Sequence, residues 1–207
     1  MNIPYSHAKG LIKEADVLLF KAGKFPGVGW WIGKYTSSPY SHAALAHWED
    51  EQLHAVEFRE FQGSRKYPLD KYVEEGKGID VFRPADTVIY PYIEEIKGEY
   101  RAAYKELRFD ADVARAITQT ALELMGRDYS YWTIWQMFKT YIPFVRLGRK
   151  VEKNGQTETH NFVCSTLITY AYRKHYLDPV PFLSDQYTSP GDLARSGLFS
   201  QLFSINS

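Results

Sequence analysis

Short apolar runs between charged or turn-forming residues mark most of the first 83 positions. Ala15-Asp16-Val17-Leu18-Leu19-Phe20 is one such run and predicts a buried strand. Lys21 to Gly29 carries three glycines and a proline and reads as a loop. Trp30, Trp31, Ile32 and Tyr35 follow as a short helix or turn whose aromatic face either packs inward or lines an apolar groove. After a turn at Ser37-Ser38-Pro39-Tyr40, strands are predicted over 41–47 and 52–58, with Trp48-Glu49-Asp50-Glu51 as a four-residue loop. From Phe61 on, a polar turn, a short helix near 69–75 and a strand over 79–83 complete this half.

Pro84 and Pro91 mark a break, beyond which a mostly helical half is expected. The charged stretch 92–107 reads as exposed on one side. Asp112 is the expected cap of a helix with the stripe Val113, Ile117, Ala121 and Leu124, ending at Gly126. The aromatic stretch 132–141 reads as a core or pocket-covering helix, and 146–160 as a polar connection. Residues 163–174 repeat apolar positions at helical spacing. Ser189-Pro190-Gly191-Asp192-Leu193-Ala194 is a capped short helix with proline at its first position, and 198–205 returns as an edge strand.

Composition narrows the function classes. The 207 residues suffice for one well-buried core and are read as a single domain, with an aromatic and polar insertion around 131–160. Twenty-five basic residues against 25 acidic ones give no electrostatic footprint for nucleic acid. One cysteine excludes an internal disulfide. No basic start followed by an apolar run marks a signal peptide, and no run approaches the ~20 apolar residues of a membrane span, so a cytoplasmic location is expected.

That one cysteine, Cys164, falls in the first turn of the 163–174 helix. There the sulfur meets unpaired backbone N–H groups and the positive end of the helix dipole, and both favour the thiolate. A lone cysteine is more often a small buried hydrophobe than a catalyst, so the matter turns on a base. His42 supplies it. If 41–47 and 52–58 form a hairpin around the four-residue loop, paired positions sum to 99, and His42 lies opposite Glu57 with Cβ atoms ~5 Å apart. A carboxylate beside an imidazole fixes its tautomer and stabilises the imidazolium. The bland alternative is a cross-strand surface ion pair. His160, four residues before Cys164, is a weaker base because it lies outside the helix. His42, His47 and His54 lack the close ligand spacing of a zinc site.

These pieces, in this order, resemble the circularly permuted NlpC/P60-like cysteine hydrolases of the YiiX/YebB-like group, within the papain-like superfamily. Ala15-Asp16-Val17-Leu18-Leu19 is similar to the family's opening strand, with Ala15 where glycine is usual. Ser38-Pro39-Tyr40-Ser41-His42-Ala43-Ala44-Leu45 resembles its histidine strand and Ala55-Val56-Glu57 the strand of the acid. Gly126-Arg127-Asp128-Tyr129, Phe162-Val163-Cys164-Ser165-Thr166-Leu167 and Ser189-Pro190-Gly191-Asp192-Leu193-Ala194 resemble the element upstream of the nucleophile, the nucleophile motif and the closing motif.

The resemblance implies an α+β, permuted papain-like fold, with an antiparallel sheet or barrel carrying the histidine against the cysteine helix. It makes Cys164 the nucleophile, His42 the base and Glu57 the orienting acid. Tyr129, with Tyr40 and Trp31, forms the oxyanion or substrate side, and the Cys164 amide is one oxyanion donor. The expected reaction is hydrolysis of an acyl bond, most readily an amide or peptide, without metal or organic cofactor. Two alternatives stand beside it. One is lipid acyl transfer or thioester chemistry, as in the lecithin:retinol acyltransferase-like branch, where a second histidine replaces the acid. The other is a catalytically silent binding module.

Overall fold

The computed structural model describes residues 1–23, 37–59, 62–126, 163–181 and 183–206. Trp31, Tyr129, His160 and the 131–160 insertion lie outside these residues. A seven-stranded sheet in the order β1-β9-β6-β2-β3-β4-β5 organises the chain. Its strands are β1 (Asn2–Pro4), β2 (Val17–Lys21), β3 (Tyr40–Glu49), β4 (Gln52–Arg59), β5 (Gly63–Pro68), β6 (Ile79–Pro84) and β9 (Phe199–Asn206). All neighbours are antiparallel except β1 and β9. β7 (Thr87–Ile96) and β8 (Glu99–Arg108) form a separate hairpin. Helices α1 (Tyr5–Ala8), α2 (Leu69–Glu74), α3 (Ala111–Leu122), α4 (Cys164–Lys174) and α5 (Pro190–Ala194) flank the sheet. Among the described residues, no helix is long and apolar enough to cross a membrane.

Alternation along the central strands feeds two cores. Val17, Leu19, Ala43, Leu45, Val56 and Phe58 face α3 and α4, whereas Leu18, Phe20, Ala44, Ala46, Leu53 and Ala55 face α1 and α2. Successive residues thus bury opposite faces, which is why the sequence shows continuous apolar runs here. On α3, Ile117 and Ala121 are buried, as is Leu124 in the turn that follows, and Val113 packs beside them. The cap is Asp110 rather than Asp112: its Oδ1 accepts from the amides of Asp112 and Val113, at 3.0 Å each. Asp112 takes the other favourable position, in the first turn.

Four further expectations are corrected. The polar stretch read as a turn after Phe61 is β5, paired along its length with β4. Residues 87–108 are a ten-residue-arm hairpin, not helix. Its turn is Lys97-Gly98, with φ of 53° and 81°, and Pro91 is tolerated because a two-stranded ladder leaves every strand an edge. β9 is not an edge strand, since β1 covers its outer side. The β3–β4 loop has two residues, not four. Asp50 and Glu51, with φ of 48° and 63°, make the turn, and pairs such as Leu45–Val56 and Glu49–Gln52 sum to 101.

α5 carries the expected capping box, in which Ser189 Oγ accepts from the Asp192 amide and the Asp192 carboxylate from the Ser189 amide. A Cβ on Gly191 would lie 2.5 Å from Ser38 Cβ, so glycine lets α5 close onto the entry to β3. Gly191→Ala is therefore expected to cost about 1–3 kcal/mol, read as a lowered Tm, because Ser38 leads directly into the histidine strand.

Candidate active site

His42 and Glu57 meet on the same face of the sheet, as diagonal rather than direct cross-strand neighbours, because the register is offset by two from the expected one. Their contact survives the offset: His42 Nε2 and Glu57 Oε2 are 2.5 Å apart. Glu57 is fully buried, and His42 is nearly so. The second oxygen of Glu57 accepts from Tyr72 Oη at 2.6 Å and from Arg65 Nε at 2.7 Å. Arg65 also donates to Tyr72 Oη at 2.8 Å. The surface ion-pair alternative is thereby ruled out; a buried carboxylate this well supplied with donors is held in place.

Cys164 opens α4, with extended Val163 as its N-cap. The sheet itself makes room for the sulfur. Ala46 exchanges backbone hydrogen bonds with Ala15 and Asp16 on the β2 side, so alternation turns the Ala43 amide toward the β4 side. The β3–β4 pairing, however, stops at Leu45–Val56. The Ala43 amide instead donates to the Cys164 sulfur, joined by the Ser165 amide at the helix start. His42 also hydrogen-bonds the thiol. With Nε2 engaged by Glu57, that bond falls to Nδ1.

The charges follow from this geometry. Burial opposes a charged His42, but the Glu57 carboxylate and then the Cys164 sulfur outweigh it and raise the imidazole from 6.5 to about 9. Burial also opposes ionised Glu57, yet His42, Tyr72 and Arg65 bring it down to about 2. For Cys164, burial raises the thiol pKa, and His42 with the Ala43 and Ser165 amides more than reverses that, lowering it. The arrangement favours thiolate and imidazolium together. Tyr72→Phe keeps the ring, which stacks edge-on to Phe20 at 4.7 Å, and removes the hydroxyl that donates to Glu57 and accepts from Arg65. A loss of about 1.5–3 kcal/mol in stability is expected from denaturant melts, with a raised Cys164 pKa in alkylation profiles.

α4 is anchored from several sides. Tyr172 Oη donates to the Ala15 carbonyl at 2.6 Å, and Ser165 Oγ to that of Thr188 at 2.5 Å. Thr166 Oγ1 donates to the Asp185 carbonyl at 3.2 Å. These bonds explain why a helix with so many hydroxyls is buried almost all round. Ala15 has φ of 62°, the left-handed region that favours glycine, at the position where the resembled family carries one.

Tyr40 is near but differently employed. Its hydroxyl donates to Asp80 Oδ2 at 2.6 Å, and Lys21 Nζ lies 3.0 Å from Asp80 Oδ1. Its proton is thus committed away from the sulfur, which removes the basis for an oxyanion role. His47 lies directly opposite His54 and contacts Glu14 at 2.7 Å through Nδ1. Odd spacing places His47 on the other face from His42. Tyr72 and the Ala43 amide carried no signal in the sequence. Nor did Arg65, because the polar stretch that carries it was not read as a strand; in the structure it is the direct cross-strand partner of Glu57 on β5.

No protein-family pattern matches the chain, and no curated protein does. Solved structures do. The crystal structure of metalloprotein YiiX from Escherichia coli O157:H7 matches with a TM-score of 0.54 at 12% identity, covering 92% of this chain and 96% of that one. The chain has a mixed α+β, YiiX-like fold.

Proposed function

We propose that the protein is a cysteine hydrolase that cleaves an acyl bond, most readily an amide, and that its fold is a permuted NlpC/P60-like member of the papain-like superfamily. The observation that carries this reading is the buried chain Cys164–His42–Glu57, with Tyr72 and Arg65 behind it. A purely structural domain gains nothing from burying a carboxylate, an imidazole and a thiol in contact, since each costs desolvation. The helix start, the His-bearing sheet and the order of the motifs support the same reading.

In the reaction, the Cys164 thiolate attacks the substrate carbonyl carbon and forms a C–S bond. The oxyanion is received by amides at the start of α4. The His42 imidazolium gives its Nδ1 proton to the leaving nitrogen as the C–N bond breaks, leaving an acyl-thioester on Cys164. Neutral His42 then takes a proton from water, which attacks the thioester. The C–S bond breaks, the acid departs, and the ion pair is restored. Glu57 keeps Nε2–H directed at itself throughout, so that Nδ1 serves the reaction.

The YiiX neighbour is described as a metalloprotein. In this chain Cys164, His42 and Glu57 are engaged with one another. Among the described residues no group of three or more His, Cys, Asp or Glu is arranged to hold a metal ion. The described residues do not fit a metal centre, and the proposed reaction routes no step through one. Lipid acyl transfer is the less favoured reading, because Glu57 stands where that branch uses a second histidine.

The test is a panel of aminoacyl, dipeptidyl and fatty-acyl coumarin amides and thioesters, with the acyl-enzyme trapped by acid quench. Coumarin release from amides, and an acyl mass increment on the Cys164 peptide, are expected. Turnover of fatty-acyl thioesters alone would favour the lipid reading, and no adduct with any substrate would overturn both.

A further inference from the structure

The β7–β8 hairpin is held to the body of the protein near its root. There Val88 and Leu107 pack on the core, and Lys105 lies 4.7 Å over the Tyr176 ring. On the other face of the ribbon, Ile89 and Tyr104 are diagonal cross-strand neighbours, 68% and 71% exposed. Among the described residues, no strand pairs with the outer side of β7 or of β8. A two-stranded ribbon is marginal in water, and three or more strands are needed for independent stability. We propose that a second copy of this chain completes the ribbon. The two β8 strands pair antiparallel about a two-fold axis through Ala102, joining two hairpins into one four-stranded sheet.

The free edges select the strand that pairs. Lys97-Gly98 is a two-residue turn, so the pair closing it, Ile96–Glu99, exchanges hydrogen bonds, and the pairs alternate from there. Odd-numbered residues of β8 therefore bond inward to β7. Tyr100, Ala102, Tyr104 and Glu106 present their amides and carbonyls outward. On β7 the outward set includes Pro91, at the middle of the strand, which has no N–H and blunts that edge. β8 contains no proline, so its outward row of donors is complete.

The charges select the partner and the register. When a strand pairs with its own copy, outward residues must face outward residues, so the axis passes through a residue. An axis through Ala102 sets Glu99 opposite the partner's Lys105, twice by symmetry, and the Tyr100 backbone opposite that of the partner's Tyr104. An axis through Arg101 or Lys105 sets a cation against its own copy. One through Ala103 sets Arg101 against the partner's Lys105, and one through Tyr104 pairs no opposite charges. Within the chain Glu99 meets exposed Arg101 at 2.8 Å, and Lys105 is also exposed, so both can reach across the seam. The contact is isologous: it uses both β8 edges and closes at two copies. An edge contact of this length buries less than a standard interface, so a Kd of roughly 10–100 µM is expected.

The test is sedimentation velocity of the full chain from about 5 to 500 µM, where monomer is expected to give way to dimer. Ala102→Pro removes one outward N–H and none of the bonds to β7, and it abolishes the dimer. Glu99→Lys weakens the dimer about tenfold, and adding Lys105→Glu restores it. These charge variants alter only exposed side chains, so they report on the seam rather than on the fold. In the Cys164→Ser background, Ala102→Cys brings two thiols to the axis with Cα atoms ~5.5 Å apart, within disulfide reach. Mild oxidation is then expected to link two chains. A chain still monomeric at about 500 µM overturns the proposal. So does a dimer unchanged by Ala102→Pro or by Glu99→Lys, or one that Ala102→Cys fails to link.

Discussion

Cys164→Ser abolishes turnover of any acyl substrate while leaving the fold intact. The loss expected is about 10⁴- to 10⁶-fold in kcat, the range seen when a nucleophile is removed from a cooperating set. The reason lies in the proton balance. His42, Ala43 and Ser165 stabilise a thiolate at this position, whereas a serine hydroxyl is far too weak an acid to give an equivalent ion pair. The side chain is nearly isosteric and its surroundings are polar, so the melting temperature stays close to wild type. Retained turnover in this variant, measured with the same coumarin substrates, contradicts the assignment of the nucleophile.

Glu57→Gln carries the second large effect, and it acts on stability as well as chemistry. The variant keeps the shape of the side chain but leaves the His42 imidazolium and partly buried Arg65 without their carboxylate. The lowering of Glu57 from 4.5 to about 2 corresponds to roughly 3 kcal/mol. That stabilisation is present above 4.5 and is lost as pH falls toward about 2. His42 gives the other limb. Its pKa is raised to about 9, so its contribution is complete below 6.5 and disappears as pH rises through 9. Both limbs describe one interaction and are not added. Wild type is therefore most stable over about pH 4.5–6.5, and Glu57→Gln flattens that maximum and lowers Tm there by roughly 6–12 °C. Calorimetry across pH measures both. An unchanged Tm at pH 5.5 would show that the pair does not hold the site.

Five of the seven strands of the large sheet were legible because double-sided burial writes continuous apolar runs, as in 15–20 and 52–58, whereas short Asn2–Pro4 and polar Gly63–Pro68 carry no such run. The α5 cap was legible because Ser189, Pro190 and Asp192 each have a local role. The hairpin at 87–108 was not, since its charges and Pro91 obscured a strand pattern that only the Lys97-Gly98 turn announces. The hairpin register was misread for a related reason. Asp50 and Glu51 take left-handed backbone without glycine or asparagine, so nothing in the sequence marked a two-residue turn. His42 and Glu57 still met, because an error of two preserves the face. Tyr72 reaches Glu57 from a helix fifteen residues on, a contact that only the folded chain creates.

The most direct test of the thiolate–imidazolium pair is the pH dependence of Cys164 alkylation by iodoacetamide, compared between wild type and His42→Ala. Cys164 is the only cysteine, so the signal is unambiguous. A free thiol titrates near ~8.5, and paired ones at roughly 3.5–7.5. Rapid alkylation persisting well below pH 7 in wild type, and lost in His42→Ala, is the expected result. An ordinary thiol profile that His42→Ala leaves unchanged would contradict the ion pair and, with it, the proposed catalysis.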